Sequence, residues 1–218
     1  MDFLFSTIGK KIQIAVSGIL LSIFLLFHLL NNLVLFYGAE SFNSMVQFLK
    51  SIHLIVRIME FSLLFIILIH VINAIIVTLK NKNSNAGSYA TQPNPTTAPL
   101  NSKTMLLSGC VIFIFFIIHL RYFWYTFQMM GIDDNFFNVL LQSNFGYLGH
   151  MPTALFYIFS ILLIAIHLRH GFLSAFKTFG TPHQFRDGIF KYIAFLFWGI
   201  IPTFFIIIII AIQLKIIE

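Results

Sequence analysis

The sequence predicts an all-α integral membrane protein, with four transmembrane helices in a core bundle and a fifth at its periphery. Three observations carry that expectation. Of 218 residues, 59% are hydrophobic and only 9% charged, too little polar surface for a water-soluble domain. Five apolar runs, 12–36, 54–79, 104–128, 152–176 and 189–214, each reach the ~20 residues that cross a hydrocarbon core of ~30 Å. The connections are short, so residues 1–218 read as a single transmembrane domain.

The first run is too long for a signal-peptide core and lacks a small-x-small cleavage site, so it reads as a permanent span. After it, Phe42, Met45, Val46, Leu49 and Ile52 recur at helical spacing, which suits a short helix in the membrane interface. Residues 81–103 are polar and proline-bearing and read as an irregular loop. The mixed stretch 133–149 suits a second interfacial segment. The fifth run contains Pro202, which a membrane helix tolerates as a kink when neighbours satisfy the freed carbonyl.

Charge sets the expected orientation. Lys10, Lys11, Lys80, Lys82, Lys103, Arg169, Lys177, Arg186 and Lys191 fall on the side of the N-terminus. Lys50, Arg57, Arg121 and Lys215 fall opposite, with Glu40, Glu60, Asp133, Asp134 and Glu218. The positive-inside rule then makes the N-terminus cytoplasmic and the C-terminus external. The net charge of +6 is accounted for by topology, and no nucleic-acid partner is required.

Four spans carry one deep histidine each. At 1.5 Å per residue, His28 lies about 6 Å past the midplane on the far side, and His119 roughly 4–5 Å past it on the same side. His70 and His167 lie roughly 5 Å from it on the N-terminal side. Intramembrane histidine is costly and usually functional, and two pairs at two depths are what two bis-histidine haems require. His28 with His119 and His70 with His167 are the expected iron ligands. His170, one turn beyond His167, is assigned to a propionate rather than to iron. His53, His150 and His183 sit at span ends, where an interfacial role is the simpler reading. Arg121 suits a propionate of the outer haem, or snorkels to the interface. Arg169, His170 and Lys177 are the candidates for the inner propionates. Arg57 and Glu60, three apart on one helix, suit a pair.

Other chemistries are excluded. Cys110 stands alone, so there is no disulfide, thiolate zinc cage or iron–sulfur ligand set, and no C-x-x-C-H for covalent haem. Any haem is therefore of the b type. No glycine-rich nucleotide loop and no hydrolytic carboxylate pair is present. Spans one and two resemble three and four only in each carrying a late histidine.

These residues reach a family likeness. S-T-I-G-K-K precedes the first span, F-H-L-L-N-N surrounds His28 and I-H-V-I-N-A surrounds His70. I-H-L-R-Y-F-W-Y surrounds His119, and H-L-R-H-G-F-L-S-A-F-K-T-F-G runs from His167. Along nearly its whole length the chain resembles the di-haem cytochrome b anchor of succinate:quinone oxidoreductases, the succinate dehydrogenases and fumarate reductases that work with menaquinone. The resemblance implies a multi-pass protein of the bacterial inner membrane, with a distal haem on the first and third spans and a proximal one on the second and fourth. It implies a flavoprotein subunit with FAD, an iron–sulfur subunit docked on the basic face, a quinone site at the outer end, and room for a higher oligomer of the complex. This chain would not act on succinate itself. Glu40 and Glu60 are the candidate quinone-site carboxylates, with Asn43 and His53 as polar neighbours. Some family members carry a glutamate two residues before the fourth ligand; here Ala165 stands there, so that proton route does not transfer. Two other readings stand beside this one: a di-haem anchor of another quinone-linked dehydrogenase, and a haem-free proton-coupled transporter.

Overall fold

In water an amphipathic helix hides its apolar side; here the pattern is reversed. In the computed structural model, which describes residues 2–84, 100–182 and 188–218, Phe27, Phe65, Leu107, Phe159 and many like them are exposed. Ser17, Ser22, Asn73, Ser108, Thr153 and Ser160 are buried. Apolar surface on that scale is stable only against lipid tails. The described residues form helices and no strand. Five are long and apolar enough to span a bilayer: Thr7–Tyr37, His53–Asn81, Met105–Met129, Met151–Thr178 and Ile189–Gln213. The chain is an all-α, multi-pass membrane protein.

The first span starts where Ser6 accepts a hydrogen bond from the Gly9 amide at 3.0 Å, satisfying one of the amides a helix start leaves free. It packs along the second and fourth spans, and the third packs on the fourth. The second and third make little direct contact over most of their length. The fifth lies against the fourth and first on the outside of this four-helix group.

Gly38, at φ +86°, ends the first span in a conformation that a side chain would oppose, and the chain turns into the helix Ala39–Ser51. That helix does not simply float at the interface. Its Phe42 and Val46 are buried, and its Asn43 accepts from the Phe137 amide at 2.9 Å. Lys50 donates to the Met130 carbonyl at 2.5 Å. The opposing segment holds a short helix, Phe136–Leu141, and is tied to the fifth span by Gln213, which donates to the Leu148 carbonyl at 2.5 Å. The two expected interfacial segments thus pair into a cap over the end of the bundle opposite the N-terminus.

Two spans loosen into a π-helix, at Leu120–Trp124 and at Leu196–Ile200. The second has a visible cause. Pro202 has no N–H for the carbonyl four residues earlier, and the Ile201 amide closes a wide turn onto Leu196 instead. The expected irregular loop 81–103 is shorter than its composition suggests. Residues 81–84 prolong the second helix and 100–103 begin the third, because helical hydrogen bonding continues past the last apolar residue. Residues 85–99 lie outside the described residues, as do His183 and Arg186.

Candidate functional site

The four histidines meet across the bundle in two pairs. His70 of the second span and His167 of the fourth have ring centres 6.4 Å apart. His28 of the first and His119 of the third are 5.6 Å apart, with planes at 89°. An imidazole nitrogen binds a metal at about 2.0–2.1 Å, so two imidazoles on opposite sides of one metal have ring centres roughly 6 Å apart. Both separations fall near that value. Each pair supplies only two donors, too few for a tetrahedral zinc site but the number that a metal held in a four-nitrogen macrocycle still needs.

The tautomer of His70 follows from its hydrogen bonds. The Ile14 carbonyl, 3.2 Å from His70 Nδ1, can only accept, so Nδ1 must carry the proton. The Ser17 hydroxyl donates to the Gln13 carbonyl at 2.6 Å, which leaves its oxygen to accept from the same Nδ1–H at 3.0 Å. His70 Nε2 is therefore unprotonated, with its lone pair free for a metal. The same construction recurs on the other half of the bundle. Ser108 donates to the Met105 carbonyl at 3.1 Å and stands 3.5 Å from His167 Nδ1. Fixing a ligand imidazole through its remote nitrogen is the usual outer support of a metal site. The residues of the inner pair fit a bis-histidine haem.

The outer pair has different surroundings. Phe24 stacks on His28 at 5.6 Å, and Phe205 of the fifth span approaches it to 5.6 Å. Phe115, Phe123 and Tyr157 enclose His119, with ring centres at 5.9, 5.4 and 6.1 Å. The π-helix that begins at Leu120 brings Phe123 inward, where it is buried. Among the described residues, the buried side-chain polar atoms without a partner are His119 Nδ1 and the Tyr157 hydroxyl. Both lie in this aromatic box, and buried polar groups are rarely left unpaired. The box fits a planar apolar group bound by two imidazoles. Among the described residues, no hydroxyl anchors His119 Nδ1 as Ser17 anchors His70.

The depth estimate from sequence needs one correction. Ser17 lies level with His70 and eleven residues before His28 on the same helix. The two layers are therefore about 16 Å apart along the span, not the roughly 11 Å that run midpoints imply. Depths counted from apolar runs assume helices centred at one height, whereas the first helix begins at Thr7 rather than at residue 12.

The remaining candidates scatter. Arg121 is exposed and lies over the Tyr125 ring at 4.7 Å. Arg169 is exposed and lies over Trp198 of the fifth span at 5.3 Å. Lys177 is exposed at the end of its helix, and His170 is half-buried one turn beyond His167. Glu40 is exposed on the cap helix. Glu60 is drawn into a cluster: it pairs with Arg57 at 2.7 Å and accepts from Trp124 Nε1 at 2.9 Å and Gln128 at 3.3 Å. Arg57 also donates to Gln128. This cluster joins the second and third spans, so Glu60 belongs to that seam rather than to the ends of the first and second. Asn43 and His53 are not part of it. Asn43 is occupied within the cap, where its amide also donates to Asn135 at 3.1 Å.

Sequence reasoning missed Ser17, Ser108, Tyr157, Trp124 and Gln128. It also missed the buried Asn73, one turn beyond His70, which takes a hydrogen bond from Lys10 at 3.4 Å and gives one to Gln13 at 2.9 Å. One signal was available. Ser-Gly occurs at 17–18 and at 108–109, in each case with a histidine eleven residues after the serine. Comparisons with protein-family models, curated proteins and solved structures find no match to this chain.

Proposed function

We propose that the chain is the di-haem cytochrome b anchor of a succinate:quinone oxidoreductase, carrying electrons between an iron–sulfur subunit and menaquinone. The observation that supports this most is the pairing of four histidines from four spans into two layers, with the His70 Nε2 lone pair left free. When bound, the haems would supply one-electron transfer along the bundle. His70 and His167 hold one, His28 and His119 the other, and the layer spacing of about 16 Å spreads the two along the membrane normal. On the N-terminal side, Lys10, Lys11, Lys80 and Lys191 give a basic face for the iron–sulfur subunit, with the FAD-bearing flavoprotein beyond it. Reducing a quinone takes protons as well as electrons. Glu60, braced by Arg57, Trp124 and Gln128, is the carboxylate best placed to exchange one at the far side.

A transporter would use its histidines as proton carriers, and a carrier must gain and lose protons freely. The Nδ1 proton of His70, locked between a carbonyl and a hydroxyl that already donates elsewhere, argues for a ligand instead. A reduced-minus-oxidised spectrum of the purified chain is the test. The proposal expects a b-type band and two haems per chain. Absence of that band from protein isolated in membranes and supplied with haem would overturn it.

A further inference from the structure

The Ser-Gly pairs do more than pack. On each of two spans the serine presents an oxygen to a histidine on the next span, and the glycine that follows it faces the same ring, closely enough on the first span that a side chain there would crowd it. A Cβ added at Gly18 would stand 3.2 Å from His70 Cε1, tighter than ordinary contact; one at Gly109 would stand 3.8 Å from His167 Cε1, which is ordinary contact. Eleven residues make just over three whole turns at about 3.6 residues per turn, so each serine shares a helix face with the histidine that follows it. One face of the first span therefore carries His28 for the outer layer and a seat for His70 in the inner. The third span repeats the arrangement with His119 and His167.

We propose that Ser17-Gly18 and Ser108-Gly109 are paired positioning seats for the two inner imidazoles, and that together they set the redox potential of one haem only. The proposal rests on the di-haem reading above and assigns the control of one layer to residues that never touch iron. Each serine takes the ligand's remote N–H, which fixes the ring and makes the coordinating nitrogen more basic. A more basic ligand favours the oxidised metal and so lowers the potential. In the outer layer, His119 Nδ1 has no such partner among the described residues.

The test compares Ser17→Ala, Ser108→Ala and Ser17→Thr in the haem-loaded chain by redox titration with optical detection. Both alanine variants should keep two haems and raise the same midpoint, though the serines lie on different spans. The other midpoint should stay in place, and Ser17→Thr, which keeps the hydroxyl, should restore the original value. A packing role alone would not distinguish threonine from alanine in this way. Gly18→Ala should lower the content of one haem, whereas Gly109→Ala should retain both. Unmoved midpoints in both serine variants, or movement of different midpoints, would overturn the seats.

A chain with no b-type band would sink the haem reading by itself. The seats are then read from ¹⁵N spectra of the histidine-labelled, metal-free protein. The Nδ1–H form at His70 and His167 supports them, and the Nε2–H form at both overturns them.

Discussion

Each inner histidine is held by atoms that are not on its own helix, and this decides what its loss does. His70→Ala or His167→Ala should remove one haem of two and leave its serine seat empty. His28→Ala or His119→Ala should remove the other. Haem content and the residual midpoint, measured on all four variants, check the pairing; loss of the same haem in His70→Ala and His119→Ala would break it. His170→Ala should keep both haems, because among the described residues the histidine rings that face each other across the bundle are His28 with His119 and His70 with His167. Tyr157 gives a stability prediction. Its buried hydroxyl has no partner among the described residues, and such a group costs about 1–3 kcal/mol. Tyr157→Phe should therefore leave thermal stability unchanged or raise it in the haem-free chain. A clear loss would show that the hydroxyl is satisfied after all. The histidines were legible in the sequence because an ionisable group deep in an apolar run stands out. Ser17 and Ser108 were not, because a membrane serine usually bonds back to its own helix, as Ser22 and Ser160 do here.

At the scale of elements, run lengths read from hydropathy found all five spans, since bilayer thickness fixes how many apolar residues a crossing needs. Local irregularities were hidden from that reading. Pro202 marked one disturbance in advance, but nothing in L-R-Y-F-W announces the π-helix after His119. That loosened turn matters, because it carries Phe123 inward to the His119 ring and ends at Trp124, whose indole reaches Glu60. The Arg57–Glu60–Trp124–Gln128 cluster then bridges the seam between two spans that otherwise barely meet. Two half-exposed charges contribute at most about 1 kcal/mol of stability, so the cluster is better explained by chemistry than by folding. Glu60→Gln should slow quinone-linked turnover roughly 10- to 100-fold if the carboxylate exchanges protons with the quinone, with both haem spectra unchanged. Glu40→Gln, on the exposed face of the cap, should leave turnover near that of the unaltered chain. The reverse order would move the quinone site onto the cap.

For the whole molecule, direction is the property on which the proposed electron path depends. Five crossings put the start of the first span and the end of the fifth on opposite sides, and the basic residues of the sequence divide nine to four between those sides. The uneven division is a sequence signal that no internal contact of the bundle would reveal, because it concerns the membrane rather than the fold. If the N-terminal side is cytoplasmic, the inner pair faces the catalytic subunits and the Glu60 cluster faces the external medium. Menaquinol oxidised there would release its protons outside while its electrons travelled inward. Cys110→Ser removes the chain's one thiol, and single cysteines can then be placed in that background at Ser88, in the polar loop, and at Asp134, beside the cap. An impermeant thiol reagent applied to intact cells should label the Asp134→Cys chain and leave the Ser88→Cys chain unmodified until the membrane is opened. The opposite pattern would invert the orientation. It would put the cap and Glu60 on the cytoplasmic side, and the catalytic subunits could no longer dock on the basic face.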